Sequence, residues 1–141
     1  MTKSLIKQVA HVCIFAHDLA ATEAFWTGIL GMKVAFRFTR NGAPYGFYLD
    51  AGGRTNIEVF EKPETEFTER NQINHVCLEV HSLDEAVAAI RSRGVKITDK
   101  KLAVDDTWQA WTADPNGVKI ELFEYTEKSA QFVGGDRAAD W

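Results

Sequence analysis

Apolar positions in the first third of the chain switch between two periods. Residues 8–16 are β-branched and aromatic enough for a strand. From Leu19 the spacing lengthens, and Leu19, Thr22, Ala24, Phe25, Trp26, Ile29 and Leu30 form a helical stripe. Asp18 stands where a helix cap belongs, and Gly31 where a left-handed residue closes the C-terminus, so the pattern predicts a helix over 19–30. Three strand-like runs follow at 32–39, 45–50 and 55–62, separated by turns at Asn41-Gly42 and Ala51-Gly52-Gly53. The order is β-α-β-β-β.

That order returns after a polar, aperiodic stretch at 63–72, which reads as a linker. The second series predicts a strand at 73–80, a helix at 83–93 capped by Ser82, and strands at 95–98, 107–112 and 118–125, with a turn at Asp114-Pro115-Asn116-Gly117. The tail at 127–141, which holds Phe132 and Trp141, predicts no regular element. Residue identities repeat along with the elements. His11-Val12-Cys13-Ile14 returns as His75-Val76-Cys77-Leu78 at an offset of 64 residues, and Ile57-Glu58-Val59-Phe60-Glu61 as Ile120-Glu121-Leu122-Phe123-Glu124 at 63. The expected fold is α+β: one domain over 1–141 made of two repeated βαβββ modules, at about 6–62 and 73–125.

Composition narrows the function. A chain of 141 residues with 45% hydrophobic content can bury a core without disulfide or metal staples. The net charge of -4, with no basic run longer than Lys100-Lys101, speaks against nucleic acid. No apolar stretch reaches the roughly 20 residues of a membrane span, and the first apolar segment is interrupted by His11 and followed by His17-Asp18, so neither membrane nor export signal is expected. Cys13 and Cys77 are too few for a disulfide framework; two free thiols in a cytoplasmic protein are expected.

The candidate chemistry follows from side chains alternating across a strand. His11, Cys13 and Phe15 share one face, as do His75, Cys77 and Glu79; Glu58 goes with Phe60, and Glu121 with Phe123. Each module therefore offers one histidine on its first strand and one glutamate on its last. Both glutamates sit in apolar strand sequence, where an unpaired carboxylate is costly, and no lysine or arginine repeats on that face. Two imidazoles and two carboxylates suit one divalent transition ion, leaving room for substrate oxygens, so His11, Glu58, His75 and Glu121 are the expected metal ligands.

A zinc site with Cys13 and Cys77 is disfavoured, because residues i and i+2 of a strand lie about 6.6 Å apart. Both are expected as reduced thiols lining the cleft. Glu61 and Glu124 have the opposite parity and are expected in solvent, while His17 and His81 fall beside helix caps. Phe15, Glu79, Phe60 and Phe123 are the expected substrate-binding residues. No phosphate loop or nucleophile elbow is present.

Paired modules bearing His11, Glu58, His75 and Glu121 resemble the vicinal oxygen chelate superfamily, which includes glyoxalase I, methylmalonyl-CoA epimerase, extradiol dioxygenases, and fosfomycin and bleomycin resistance proteins. Phe25-Trp26-Thr27-Gly28-Ile29-Leu30-Gly31-Met32-Lys33 and Asp114-Pro115-Asn116-Gly117-Val118-Lys119-Ile120-Glu121-Leu122 are similar to segments of bacterial glyoxalase I. The resemblance implies a cupped mixed sheet around one divalent ion (Ni, Co, Zn, Mn or Fe), and a homodimer. It also implies a lyase or isomerase that handles a small molecule chelated through two vicinal oxygens by way of an enediolate. Glu121 would then be the mobile base, with Glu58 next. The full His2Glu2 set favours the glyoxalase-like branch, since dioxygenases and fosfomycin transferases use two His and one Glu, and epimerases typically carry Gln where Glu58 stands. An epimerase, an extradiol-type dioxygenase and a non-catalytic binding or resistance protein remain the alternatives. The resemblance departs at Phe15, which occupies the place of an arginine for the glutathione carboxylate and so points away from glutathione adducts.

Overall fold

A computed structural model of the protein describes residues 9, 11–64, 73 and 75–139. The chain divides between residues 67 and 68 into two compact units. The first holds β1 (His11–Ala16), α1 (Leu19–Glu23), β2 (Lys33–Arg40), β3 (Ala43–Asp50) and β4 (Asn56–Glu61). The second holds β5 (His75–Glu79), α2 (Leu83–Ser92), β6 (Lys101–Leu102), β7 (Trp108–Ala113), β8 (Lys119–Glu124) and α3 (Ala130–Val133). Each unit has one four-stranded mixed sheet, ordered β1-β4-β3-β2 and β5-β8-β7-β6. The first strand of each runs parallel to the last, and the other pairs are antiparallel. Two mixed sheets with few helices make the α+β class that the repeated pattern predicts. Residues 65–72 of the expected linker, and Trp141, lie outside the described residues.

One face of each sheet is the core. In the first unit Ile14, Ala16, Phe47, Leu49, Ile57 and Val59 are buried on it, with Thr22, Phe25 and Trp26 from the helical segment. In the second, Ala110, Ile120 and Leu122 are buried, with Leu83, Val87 and Ile90 of α2. Each large apolar side chain among them contributes roughly 1.5–3 kcal/mol by leaving water. The other face of each sheet is left for chemistry. The caps form as expected: Asp18 Oδ1 accepts from the Ala21 amide at 2.9 Å and Ser82 Oγ from the Glu85 amide at 3.3 Å. The hairpin between β2 and β3 turns on Asn41 and Gly42, at φ 52° and 77°, the left-handed pair that a two-residue turn requires.

Three expectations need correction. The predicted helix over 19–30 is α-helical only through Glu23; Ala24–Ile29 is π-helical, and the Leu30 amide donates to Phe25 O at 3.2 Å. Phe25 and Trp26, both buried, lie in this wider turn. The segment 95–98 is no strand. Its Thr98 hydroxyl accepts from the Trp111 amide at 2.9 Å in place of a carbonyl, and the Thr112 hydroxyl donates to Lys96 O at 2.7 Å, so the ladder next to β7 is broken until Lys101–Leu102. The tail contains α3, anchored by polar groups: the Ala130 amide donates to Asp105 O at 2.9 Å, Gln131 Nε2 to Asp105 Oδ2 at 2.7 Å, and the buried Ser129 hydroxyl to Asp106 O at 3.0 Å. Hydrophobic periodicity carries no trace of such a network, and Phe132 and Val133 are exposed.

Candidate functional site

In the first unit, strand register sets the site. Cys13 stands opposite Glu58 in the parallel β1/β4 pair, and Glu58 opposite Tyr48 in the antiparallel β3/β4 pair. His11 lies diagonally beside them, with Nε2 3.9 Å from Glu58 Oε1 and Nδ1 3.4 Å from the Tyr48 hydroxyl. Glu58, opposite it, holds the Tyr48 phenol above its usual pKa through hydrogen bonding and charge. Tyr48 stacks on Phe36 with centroids 4.4 Å apart, and Phe38 and Tyr45 close on Phe60 at 5.1 and 5.0 Å. The result is an aromatic wall around a His–Glu pair. Phe15 is exposed at the end of that face, with Lys62 Nζ 5.9 Å from its ring. Phe60 lies over Gly46, where a Cβ would collide with the ring and with the Val59 carbonyl.

The second unit repeats the plan with other residues. His75 Nε2 lies 3.1 Å from Glu121 Oε2; Cys77 and Trp111 stand opposite Glu121 on either side, and Trp111 meets His75 edge to face at 4.8 Å. Glu121 is buried, and burial pushes its pKa above the ordinary carboxylate value against the opposing pull of His75 and Cys77. Burial, the hydrogen bond to Glu58 and its charge raise the Cys13 thiol to about 11, and burial with the Glu121 charge raises Cys77 to about 12. Both thiols are free and stay protonated at neutral pH.

His11 is thus brought to Glu58, and His75 to Glu121, as alternation in the sequence predicts. Among the described residues no group of three or more His, Cys, Asp or Glu side chains is placed to hold one ion. Glu79 stands opposite Phe123 and lines a hollow of about 380 Å³ with Val80, His81, Glu124 and Tyr125. Glu124 is not simply in solvent, since its Oε2 accepts from the Leu83 amide at 3.0 Å and completes the start of α2. His17 Nδ1 faces the Pro63 carbonyl at 3.0 Å.

Sequence reasoning missed Tyr48 and Trp111, which face the two glutamates. The signal was present: at the 63-residue offset that aligns Glu58 with Glu121, Tyr48 falls on Trp111. Two adjacent ligands of an ion, each about 2.1 Å away at a right angle, are about 3.0 Å apart. The His75–Glu121 pair has that spacing and His11–Glu58 is 0.8 Å wider. Imidazole and carboxylate are the donors that Ni, Co, Zn, Mn and Fe accept, so the chemistry of each pair, taken by itself, suits a divalent ion.

Comparison with known proteins places the chain in a family. Residues 8–122 match the model of the Glyoxalase/Bleomycin resistance protein/Dioxygenase superfamily. The uncharacterized protein YaeR of Escherichia coli (strain K12) is 31% identical over 127 residues, covering 84% of this chain and 97% of its own length. A lactoylglutathione lyase of Salmonella typhimurium is 30% identical over 124 residues, covering 83% and 92%. Among solved structures, a glyoxalase family protein from Enterococcus faecalis superposes with a TM-score of 0.73 at 22% identity, covering 86% of this chain and 100% of that one; at that identity it speaks to the fold alone. Repeated modules, mixed sheets and matched length agree, and the chain belongs to the glyoxalase/bleomycin resistance protein/dioxygenase superfamily.

Proposed function

We propose that the chain is a metal-dependent lyase or isomerase of the glyoxalase type, acting on a small molecule held through two vicinal oxygens. Its two modules form one domain, and His11, Glu58, His75 and Glu121 together hold one divalent ion, within a chain or across a homodimer. The observation that carries this reading is the repetition of a His–Glu pair, at 3.9 and 3.1 Å, on the coreless face of both sheets. When bound, the ion supplies Lewis-acid stabilisation of the negative charge that develops on the two oxygens.

The remaining work falls to side chains. Glu121 takes the proton from the carbon beside the carbonyl and returns it to the neighbouring carbon; its buried setting keeps the carboxylate poorly solvated and basic. Glu58, less deeply buried than Glu121, stays a ligand. Phe15, Phe60 and the rings of Tyr45 and Phe38 receive an apolar or aromatic body, while Glu79 and Phe123 border the substrate in the second module. Phe15 offers no charge to a glutathione carboxylate, so a thiol adduct is not required.

The test is elemental analysis of the protein loaded with Ni, Co, Zn, Mn or Fe, beside His11→Ala and Glu121→Gln. One ion per chain, lost or weakened in both variants, followed by solvent-proton exchange into α-hydroxycarbonyl compounds, supports the enzyme. A wild type that takes up none of these ions overturns it and leaves a small-molecule binding protein.

A further inference from the structure

One residue of β3 breaks the alternation of its strand. Phe38 pairs with Gly46 but Thr39 with Pro44, so the β2/β3 ladder shifts register and leaves Tyr45 as an extra residue. Such bulges re-aim side chains, and this one brings the Tyr45 ring onto Phe60, centroids 5.0 Å apart, on the face that carries Glu58. Two cations gather on that ring. The Arg40 guanidinium carbon lies 3.8 Å from its centre and Lys62 Nζ 5.9 Å; Lys62 Nζ is also 5.9 Å from the centre of the Phe15 ring. Among the described residues neither cation is in an ion pair, whereas Arg37, on the same strand as Arg40, is closed on Glu23 at 2.6 Å.

The second unit does not repeat this arrangement. At the 63-residue offset Arg40 falls on Ala103 and Lys62 on Tyr125, and at 64 Phe15 falls on Glu79. Trp108, at the place of Tyr45, does meet a cation, Lys100 Nζ at 4.5 Å, but that ammonium is 3.0 Å from Asp84 Oδ2. The module is therefore built without unpaired cations at this place, and the first copy has acquired two. Phe60 is two residues past Glu58 on β4, about 6.6 Å along the strand, so the cations stand roughly one ring beyond the carboxylate. We propose that Arg40 and Lys62 form an anion subsite, and that the substrate is a small aromatic molecule with vicinal oxygens at one end and a carboxylate or phosphate at the other. The chelated end rests on the metal-dependent reading above; the anionic end rests on these contacts alone. The planar fork of Arg40 suits the paired oxygens of either anion, and Lys62 adds a point charge.

The closing experiment measures, by isothermal titration calorimetry in chelator-treated and in Co²⁺-loaded protein, the binding of three probes with a common body: 4-(hydroxyacetyl)benzoate, its methyl ester and 4-(hydroxyacetyl)phenyl phosphate. Arg40 is exposed and Lys62 half-buried, so two solvent-accessible ion contacts together are expected to make an anion bind roughly tenfold more tightly than the ester. Arg40→Gln and Lys62→Met are each expected to remove roughly threefold of that preference, and the double variant all of it, with the ester unmoved. The anion that gains more over the ester, benzoate or phosphate, identifies the group the subsite takes. A wild type that binds the ester as tightly as both anions, or binds none of the three in either sample, overturns the proposal. So does a double variant that keeps the preference, or that loses acid and ester alike, which would make the two cations structural. Should the variants fold poorly, the comparison of acid with ester in wild type decides. Failure to take up Co²⁺ overturns the metal-dependent reading instead, and the preference for the anion in the chelator-treated sample still decides the subsite.

Discussion

The two modules share a backbone plan and differ in what surrounds the acid. Glu58 stands among phenyl and phenol rings, opposite Tyr48; Glu121 is more deeply buried, against His75, Cys77 and Trp111. A duplicated module gives two identical His–Glu pairs at first. Divergence in one neighbouring strand then leaves one carboxylate among aromatic rings and the other more deeply buried. The difference lies in β3 and β7, while the strands that carry the pairs have kept their His and Glu.

The largest effect expected from this contrast is on turnover. Glu121→Gln should lower proton exchange by roughly 10²- to 10⁴-fold, the range for loss of a general base. Glu58→Gln should act mainly through weaker metal binding and recover at high metal concentration. Measuring exchange against added metal separates the two; equal recovery of both variants would refute the division of labour. The same carboxylate gives a pH signature. Glu121 has its pKa raised by burial, so the folded state binds protons more readily than the unfolded one. Its contribution to stability is full in acid and lost as pH rises through the raised folded-state value. In metal-free protein Glu121→Gln should therefore gain stability relative to wild type as pH climbs through the range just above that of ordinary carboxylates.

Next in size is a backbone contrast. Phe60 lies over Gly46 in the first sheet, whereas the corresponding register pair in the second is Phe123 with Gln109. A Cβ at position 46 would strike the Val59 carbonyl and the Phe60 ring. Gly46→Ala should destabilise the first unit by about 1–3 kcal/mol, the usual cost of overpacking. Urea denaturation checks it, and an unchanged midpoint would mean that Phe60 moves freely.

The sequence made the His–Glu pairs legible because they lie on first and last strands whose repeats are nearly identical and whose alternation assigns a face without knowledge of pairing. Tyr48 and Trp111 were hidden because their place depends on the register of β3 and β7, which hairpin turns and, in the β2/β3 ladder, two register shifts set. The broken ladder at 95–98 turns on hydroxyls of Thr98 and Thr112 that stand in for backbone partners, and hydrophobic period is blind to such exchange. The π-helical segment, with Phe25 and Trp26 both buried in it, leaves no mark in the hydrophobic period, since the apolar stripe through 19–30 reads the same for either helix. α3 escaped for the opposite reason, being held by Asp105, Asp106 and Ser129 with its apolar residues outside.

A smaller contrast lies at the helix starts. α1 is capped by Asp18 alone among the bonds seen there, but α2 has both Ser82 and, from β8, the Glu124 carboxylate on the Leu83 amide. Glu124→Ala should cost about 1 kcal/mol, the typical worth of a capping acceptor. Glu61→Ala, at the matching place in the first module, should cost less. Thermal unfolding of the two variants decides, and equal losses would show that the Glu124 bond adds nothing.

The smallest expected effect concerns the thiols. Cys77 is raised further than Cys13, to about 12 against about 11, so its thiolate fraction below pH ~9 is the lower of the two. The more basic thiolate is the better nucleophile, but with a Brønsted slope near 0.4–0.5 it regains only part of that loss. Iodoacetamide should therefore alkylate Cys77 more slowly than Cys13 in chelator-treated protein, followed peptide by peptide by mass spectrometry. Glu58→Gln should narrow the shift of Cys13 and speed its alkylation, because the hydrogen bond and charge of Glu58 are among the causes that raise it. Glu121→Gln should do the same for Cys77, where the Glu121 charge ranks second after burial. If Cys77 reacts as fast as Cys13, the carboxylate behind it is less desolvated than its burial implies, and the assignment of Glu121 as a base raised by burial loses its physical ground.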